Sequence, residues 1–389
     1  MTRPAWSGRD GTERAALGFR PRTLACSGEG RAGWSSGPRW LGATRSWPAA
    51  PGLPGSMLGP KRHPPGLAYG HRMPDISHRT VETNGIHMHV AEAGEGPLVL
   101  FLHGFPESWY SWRHQLAALA EAGYHAVAPD QRGYGQTDAP QDIASYSLLH
   151  LVGDVVGLLA ALKETRAVVV GHDWGAPVAW SAALYRPDLV RAVAGLSVPF
   201  RPRGHRPPLD VYRELLGDRF YQVYFQEPGV AERDLEADVS RTLRRFLYAA
   251  SGDAPTMAKM YVGSAGWVDD MPEPEPLPNW LTEADVDYFA GEFRRTGFRG
   301  GLNWYRNINR NWELSAPWQG ALVTVPAIYV VGDRDPVYHF PGGKELAANL
   351  GHFVPQLRQT LILEGAGHWI QQERPAEVNT ALLEFFKAL

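Results

Sequence analysis

Residues 171–175, Gly-His-Asp-Trp-Gly, place a carboxylate between two glycines where an apolar run meets a helical segment. The apolar run covers residues 167–170, and the helix is predicted to start at Ala176. A strand, a tight turn and a helix in this order form a nucleophile elbow, usually written G-x-S-x-G. Small residues flank the nucleophile because the turn is sharp and closely packed. Here the nucleophile position holds Asp173 rather than a serine.

An aspartate at this position predicts attack on a saturated carbon. A serine that attacks such a carbon gives an ether, which the same groups cannot hydrolyse. A carboxylate gives an ester whose carbonyl belongs to the protein, and water can cleave that ester. Asp173 therefore indicates substrates that alkylate, either epoxides or alkyl halides. The alternative is that Asp173 only caps the following helix, which is a common role for aspartate.

Two further polar loops follow apolar runs in the order that this chemistry needs. The run at 326–331 leads into Asp333 and Asp335, and the run at 360–363 leads into His368. Nucleophile, acid and histidine is the chain order of the α/β-hydrolase fold. We predict that His368 deprotonates water while Asp335 fixes its tautomer and stabilises the imidazolium. Asp333 is the rival acid, which only geometry can exclude.

The turn at residues 101–107 is the candidate for the second half of an oxyanion hole. It follows a buried run and contains Phe105 between Gly104 and Pro106. We expect the backbone N–H of Phe105 to point, together with that of Trp174, at one oxygen of the tetrahedral intermediate. The alternative is a plain turn with no such role.

The spacing of apolar residues predicts a doubly wound α/β sheet that positions these loops. Residues Ile86–Ala93 alternate in polarity, which indicates an edge strand with one solvated face. A stripe from Leu148 to Leu159 and the segment 373–386 have helical spacing. Short apolar runs, typical of parallel strands buried on both faces, lie at 97–102, 125–128, 167–170, 192–196, 326–331 and 360–363.

The alternation of strand and helix stops between about residues 200 and 317, a stretch rich in Tyr, Trp, Phe and Pro. Helices are predicted near 210–225 and 230–250. We interpret the stretch as a cap subdomain inside a hydrolase domain at 76–389, inserted before the acid-bearing strand. Such an insertion would cover the carboxyl ends of the strands, where open α/β sheets bind ligands.

The first 74 residues differ from the rest in charge and composition. They contain 10 Pro and 13 Gly and a net charge of +8, which leaves −11 for the remainder of a chain whose total is −3. We expect residues 1–75 to be a disordered extension, or sequence upstream of a start at Met57 or Met73. Organelle targeting is the alternative, because the segment is rich in Arg and poor in acidic residues.

The acidic remainder argues against a nucleic-acid-binding protein. The single cysteine, Cys26, permits no disulfide within the chain and favours a reducing compartment, so we expect a cytoplasmic location. No uncharged apolar run is long enough to cross a bilayer. We expect no metal or organic cofactor, and a homodimer stays open.

Five stretches between about residues 80 and 389 resemble the soluble epoxide hydrolase family. They are HGFPESWYSWR at 103–113, DQRGYG at 130–135, GHDWGAP at 171–177, YQVYFQEPG at 221–229 and NWYRN at 303–307. The resemblance implies an α/β-hydrolase fold and conversion of small apolar epoxides to vicinal diols, with a role in detoxification. It also implies a cis peptide bond before Pro106. Mammalian relatives carry an N-terminal phosphatase domain, and we expect no phosphatase activity here.

By the same resemblance, the family's paired cap tyrosines correspond to Tyr221 and Tyr305. A phenol with a pKa near ~10 stays protonated at neutral pH and can donate a proton to an alkoxide. Tyr224 is the local alternative to Tyr221. Phe105, Trp174 and Phe225 are expected to line an apolar substrate pocket, and ordinary core packing is the alternative for each of these aromatic residues.

Three rival functions remain to be weighed. Haloalkane dehalogenases share an aspartate elbow followed by Trp, but that family commonly has Asn or Glu where this chain has Phe105. The sequence Asp-Arg-Asp-Pro-Val at 333–337 matches an aspartyl-phosphate signature, yet too few residues follow it for the required domain. A non-catalytic binding protein of the same fold is disfavoured because all the required side chains are present.

Overall fold

A central eight-stranded sheet organises the protein in a computed structural model that describes residues 75–264 and 266–389. The strand order is β1-β2-β4-β3-β5-β6-β7-β8. Strand β2 pairs antiparallel with both β1 and β4. From β4 onward in this order, each strand pairs parallel with the next. The strands are β1 (Ser77–Thr83), β2 (Ile86–Ala93), β3 (Leu98–Leu102), β4 (His125–Pro129), β5 (Ala167–His172), β6 (Val190–Leu196), β7 (Ala327–Gly332) and β8 (Leu357–Leu363).

The mostly parallel doubly wound sheet predicted from the sequence is confirmed. All six apolar runs lie in strands, and the five that form β3 to β7 supply the buried side chains that an interior strand needs. Two details were wrong. Strand β2 is not an edge strand, because the polar segment β1 pairs along its whole length. Strand β8 is not buried on both faces, since it forms the opposite edge and leaves Ile362 46% exposed.

Thirteen α-helices lie within the described residues, several of them a single turn long. Short 3-10 helices occur at Trp109–Trp112, Ile143–Tyr146, Ala316–Trp318 and Leu350–His352. The α-helices are α1 (Arg113–Glu121), α2 (Leu148–Ala161), α3 (Gly175–Tyr185), α4 (Pro208–Leu216), α5 (Tyr221–Tyr224), α6 (Val230–Leu235), α7 (Val239–Ala249), α8 (Glu283–Thr296), α9 (Arg299–Arg306), α10 (Ile308–Leu314), α11 (Gly343–Ala348), α12 (Ile370–Glu373) and α13 (Pro375–Lys387).

The predicted helix from the Leu148 stripe is α2 and the predicted closing helix is α13, but two other predicted helices are each broken in two. The segment 210–225 is interrupted at Gly217, whose φ of 81° and ψ of 174° end α4. The segment 230–250 is interrupted before α7, where the Asp238 side chain accepts a hydrogen bond from the N–H of Arg241 as an N-cap. The closing helix predicted at 373–386 begins two residues later, because Pro375 starts α13.

Two apolar cores lie on opposite faces of the sheet, as alternation along β3 illustrates. Its residues Val99 and Phe101 join a core with α1, α12 and α13. Its residues Leu98 and Leu100 join a larger core with α2 and α3, which continues into the helices α4 to α10 between β6 and β7. The insertion therefore shares its packing with one face of the sheet. Across residues 75–264 and 266–389, no helix combines the length and apolar character that a membrane crossing requires.

The predicted extension at 1–75, with Cys26, Met57 and Met73, lies outside the described residues apart from its final residue. The predicted cap boundaries stay a prediction, although seven helices do lie between β6 and β7.

Candidate active site

The nucleophile elbow joins β5 to α3 and carries Asp173 at its apex. Asp173 has a φ of 47°, a left-handed backbone conformation that non-glycine residues seldom adopt. A Cβ atom at Gly171 would collide with the backbone of Gly175, and one at Gly175 would collide with the carbonyl of Leu102. The two glycines thus permit the close approach of strand and helix that turns the carboxylate outward. Backbone strain of this kind costs roughly 1–3 kcal/mol and concentrates at functional sites.

The structure brings Asp173, His368 and Asp335 together. Nε2 of His368 is 3.5 Å from Oδ2 of Asp173, and Nδ1 of His368 is 3.0 Å from Oδ1 of Asp335. Asp335 is fully buried and also accepts a hydrogen bond of 2.8 Å from the N–H of Val337. The histidine therefore has one nitrogen toward the elbow and the other toward a fixed carboxylate, as the predicted base and orienting acid require.

Asp333, the rival acid, is held in a different role. Its carboxylate accepts a hydrogen bond of 2.8 Å from the N–H of Gly365. Its own N–H donates to the carbonyl of Leu363 at the end of β8. Asp333 thus fixes the turn that leads to His368, while Asp335 contacts the imidazole itself.

The predicted oxyanion turn lies directly beside the elbow. The N–H of Phe105 donates a 2.8 Å hydrogen bond to Oδ1 of Asp173. The peptide bond between Phe105 and Pro106 is cis, as the family resemblance implied. A Cβ atom at Gly104 would collide with the Asp173 side chain, so glycine is needed for this approach. Trp174, whose N–H is the other predicted donor, immediately follows Asp173 at the start of α3.

Both predicted tyrosines reach the site from the insertion. Tyr221 on α5 is 6% exposed and Tyr305 on α9 is 3% exposed, with ring centres 5.8 Å apart. The hydroxyl of Tyr221 accepts a hydrogen bond of 2.7 Å from Nε2 of Gln222. Tyr224 lies on the same single turn as Tyr221, but its side chain is not among the described residues that line the cavity.

A cavity between the sheet domain and the insertion joins these groups. The sheet domain contributes Phe105, Asp173, Pro336, Val337 and His368, and the insertion contributes Tyr221, Phe246, Ala249, Ala250, Ala258, Met260, Trp267, Met271 and Tyr305. Of the three aromatic residues expected to line a substrate pocket, Phe105 lines this cavity. Trp174 and Phe225 are not among its described lining residues. Phe225 is fully buried behind the Tyr305 ring, 5.0 Å away, and Trp174 packs on the edge of the same ring at 5.1 Å.

Trp267 and Met271 line the cavity but were not predicted from the sequence to do so. The Trp267 ring stacks on Tyr221 with centres 5.4 Å apart, which fixes the position of the phenol. Both residues belong to the irregular stretch between α7 and α8, where no periodic pattern shows which side chains turn inward. Only their apolar character in a Pro-rich loop was available as a signal.

Comparison with known proteins decides the family. Residues 97–375 match the alpha/beta hydrolase fold. The chain is 51% identical over 321 residues to epoxide hydrolase 2 of Siraitia grosvenorii, covering 81% of this chain and 99% of that protein. It is 47% identical over 317 residues to epoxide hydrolase A of Mycobacterium tuberculosis, covering 80% and 97%. The chain belongs to the soluble epoxide hydrolase family. The crystal structure of epoxide hydrolase A from Mycobacterium thermoresistibile superposes with a TM-score of 0.76 at 49% identity, covering 80% of this chain and 98% of that one.

Charges around the histidine set its protonation in this member of the epoxide hydrolase family. Burial of the ring favours the neutral form, but the carboxylates of Asp335 and Asp173 outweigh burial and hold the pKa of His368 well above its usual value. Burial also raises the pKa of Tyr221 and of Tyr305, and the charge of Asp173 acts in the same direction. The two phenols therefore stay protonated and can donate hydrogen bonds to a developing alkoxide.

A fully buried pair, Glu107 and His172, lies beside His368 and was not singled out from the sequence. Nδ1 of His172 is 2.7 Å from Oε2 of Glu107, and Nε2 donates to the carbonyl of His368 at 2.7 Å. The N–H of Gly104 also donates to Glu107, at 2.9 Å. Burial raises the pKa of Glu107, but His172 and this N–H outweigh burial and lower it to about 2. The only indication of this pair in the sequence is that each residue is ionisable and lies inside one of the motifs at 103–113 and 171–177.

Glu373, also missed, fixes the loop that carries His368. Its carboxylate accepts hydrogen bonds of 2.8 Å from the N–H of Gly252, and of 2.9 Å from those of Gly367 and Trp369. One buried side chain thus connects the segment that follows α7 in the insertion to both neighbours of His368. For metals, no cluster of three or more His, Cys, Asp or Glu side chains suited to an ion occurs in the described part of the chain.

Proposed function

We propose that this chain hydrolyses epoxides to vicinal diols through a covalent ester on Asp173. One observation carries the proposal: a carboxylate stands at the nucleophile elbow, 3.5 Å from a histidine whose other nitrogen faces a buried carboxylate. A carboxylate nucleophile suits a saturated carbon because its ester remains open to hydrolysis. The curated relatives and solved structures named epoxide hydrolases support the same substrate class.

In the first half-reaction, an oxygen of Asp173 attacks one carbon of the epoxide ring. A carbon–oxygen bond forms as the ring carbon–oxygen bond breaks, and the released oxygen becomes an alkoxide. Tyr221 or Tyr305 transfers its phenolic proton to that alkoxide, which gives a hydroxyalkyl ester. The raised pKa values of these tyrosines support this role, because the phenols remain protonated until the alkoxide forms.

In the second half-reaction, His368 removes a proton from water and the resulting hydroxide attacks the ester carbon of Asp173. The N–H of Phe105, already bonded to this carboxylate at 2.8 Å, is suited to stabilise the oxyanion together with the N–H of Trp174. Collapse of the intermediate releases the diol and restores the carboxylate. The proton on His368 then returns, directly or through solvent, to the phenolate.

Esterification also prepares the histidine for its task. The negative charge of Asp173 is one of the causes that hold the pKa of His368 high in the free protein. Ester formation removes that charge, so the pKa of His368 falls when a neutral base is required. The first half-reaction thereby activates the second.

We further propose that residues 200–317 act as a cap that supplies the tyrosines, in a cytoplasmic enzyme that detoxifies epoxides. The position of Tyr221 and Tyr305 on insertion helices supports the first part. The single cysteine supports a reducing compartment. Fractionation of the native cells and turnover of a panel of epoxides and haloalkanes test these assignments.

The covalent scheme is tested by one turnover in water enriched in ¹⁸O, with the purified protein in excess over styrene oxide. The ester scheme transfers an oxygen of Asp173 to the diol and leaves the oxygen of water in the carboxylate. We expect an unlabelled diol and a heavy peptide containing Asp173 by mass spectrometry. Label found directly in the diol, with a light Asp173 peptide, would show direct attack by water and overturn the scheme.

A further inference from the structure

Ser197, immediately after β6, has an unusual conformation in the interior of the protein. It is fully buried and has a φ of 68°, in the left-handed region that serine rarely adopts. Its N–H donates a 2.8 Å hydrogen bond to the carbonyl of Val330, and its carbonyl accepts one of 2.7 Å from the hydroxyl of Tyr329. Strand β7 therefore holds the Ser197 backbone from both sides.

The conformation aims the hydroxyl of Ser197 at the pair formed by His368 and Asp335. Oγ of Ser197 is 3.0 Å from Nδ1 of His368, and that same nitrogen is 3.0 Å from Oδ1 of Asp335. An imidazole nitrogen carries at most one hydrogen, so these two oxygens share it. The hydroxyl hydrogen of Ser197 then remains available to the carboxylate.

One carboxylate oxygen of Asp335 can accept that second hydrogen bond. This atom, Oδ2, is buried and has no hydrogen-bond partner among the described residues. Burial raises the pKa of Asp335, but the charge and hydrogen bond of His368, together with a weaker hydrogen bond from Ser197, hold it below its usual value. The serine hydroxyl and the Asp335 carboxylate thus lie within hydrogen-bond distance of the same ring nitrogen.

We infer that Ser197 is a positioning residue whose hydroxyl shares the Nδ1 hydrogen of His368 with Asp335 and thereby keeps Nε2 directed at Asp173. The inference rests on the proposed function. Only the second half-reaction uses His368 as a base, so loss of the hydroxyl should slow ester hydrolysis and spare ester formation. Glycine at this position would avoid the backbone strain, whereas serine keeps the hydroxyl beside the imidazole.

Two variants separate this role from a structural one. Ser197→Gly removes the hydroxyl and relieves the strain of a positive φ, so its thermal stability should equal or exceed that of the parent protein. Ser197→Ala removes the hydroxyl and keeps the strain. Ser181→Ala is the matched control, because Ser181 is a largely buried serine on α3 whose side chain forms a hydrogen bond with Tyr185.

Single turnovers of styrene oxide, followed by stopped-flow tryptophan fluorescence, resolve the two half-reactions. For both Ser197 variants we expect hydrolysis to slow by about tenfold, the effect of one hydrogen bond, while ester formation changes by less than about twofold. The low-field proton resonance of Nδ1 of His368 should move downfield in both, because Asp335 becomes its only acceptor. The Ser181 variant should match the parent protein in both readouts.

Unchanged hydrolysis in both Ser197 variants, or an unchanged resonance, would overturn the inference. An equal loss in both half-reactions would also overturn it, because that pattern indicates general damage to the site. If the parent protein itself forms no ester, the proposed function fails along with this inference, and the ester is detected independently by the mass of the Asp173 peptide. An ester that forms normally and persists in the Ser197 variants would support both.

Discussion

The α/β sheet and the helical insertion contribute to the same cavity in different ways. Asp173, Asp335 and His368 follow β5, β7 and β8, so the hydrogen-bonded ladder of the sheet sets their spacing. Tyr221 and Tyr305 stand on helices of four and eight residues, and side-chain packing sets theirs. Under the proposed mechanism, the sheet therefore supplies the nucleophile and the base, whereas the insertion supplies the two donors to the epoxide oxygen and most of the cavity wall.

The two regions are nevertheless coupled through one charge. The Asp173 carboxylate raises the pKa of His368 in the sheet domain and of both tyrosines in the insertion. Esterification removes that charge from both sides at once. Substitutions in the sheet domain should therefore change the rates of the two half-reactions to different extents. Substitutions in the insertion should mainly slow the first half-reaction, which forms the ester.

The largest effect is expected when the nucleophile itself is removed. Asp173→Ala should abolish ester formation and reduce turnover by about 10⁴-fold or more, because neither half-reaction has an alternative route. Intact-protein mass spectrometry after mixing with styrene oxide, together with diol assays, measures both effects. Circular dichroism checks that the variant is folded. A variant that retained turnover above about one hundredth of the parent rate would show that the sheet domain does not supply the nucleophile.

Loss of the base should leave a different signature. His368→Gln should still form the ester at a rate comparable with the parent protein, because attack by Asp173 needs no proton transfer to His368. Hydrolysis should fall by about 10³-fold or more, so the ester accumulates after a burst of one equivalent. Rapid quench and mass analysis of the Asp173 peptide follow both steps. If both steps fell equally, the role assigned to His368 would be wrong.

Substitution of the tyrosines tests the contribution of the insertion. Tyr221→Phe and Tyr305→Phe should each slow ester formation by about ten- to a hundredfold, because one donor to the alkoxide is lost while the ring packing remains. The double variant should be slower than either single one. Hydrolysis of the ester, once formed, should change little. Tyr224→Phe is the matched control and should retain the parent rates; an effect there as large as at Tyr221 would reverse the assignment.

These regions also differ in how much the sequence reveals. The bounds of the interior strands follow from apolar runs, because every side chain of an interior parallel strand is buried. The helices α4 and α5 were predicted as one, because the break at Gly217 depends on local backbone geometry that an amphipathic pattern does not record. Sequence spacing could not separate Tyr221 from Tyr224 without the family resemblance, since a single turn can present either side chain to the cavity.

Some features of the site cannot be predicted from the sequence. The choice of Asp335 over Asp333 depends on which carboxylate faces Nδ1 of His368, and both follow the same strand. Ser197 and Glu373 act through a buried hydroxyl and three backbone N–H groups respectively. Such contacts join segments far apart in the chain, so only the folded arrangement identifies them.

Acidification should affect the two half-reactions unequally. In the free protein the pKa of His368 is raised by the charges of Asp335 and Asp173, which outweigh burial of the ring. Because the ester removes the charge of Asp173, the pKa that governs hydrolysis is the lower pKa of His368 in the ester, where the ring must be neutral to act as a base. Below that pKa, the rate of hydrolysis should fall by about tenfold per pH unit, while ester formation stays nearly constant. The groups that face the ring are Asp335, Asp173, Ser197 and His172. Stopped-flow pH profiles measure both steps, and a shared acid limb would contradict this assignment.

The smallest effect is expected at the wall of the cavity in the insertion. Met271 is 8% exposed and is one of the residues by which the insertion lines the cavity. Met271→Ala should enlarge the pocket and raise the ratio of kcat/KM for a bulky aryl epoxide over a small alkyl epoxide by about three- to tenfold. The ratio of the ester formation rate to the hydrolysis rate should stay constant for each substrate, since the triad is untouched. Leu215→Ala, at a side chain 69% exposed, is the control. A changed ratio of half-reaction rates in Met271→Ala would show that the insertion also positions the triad. The sheet domain alone would then not determine the spacing of Asp173, Asp335 and His368.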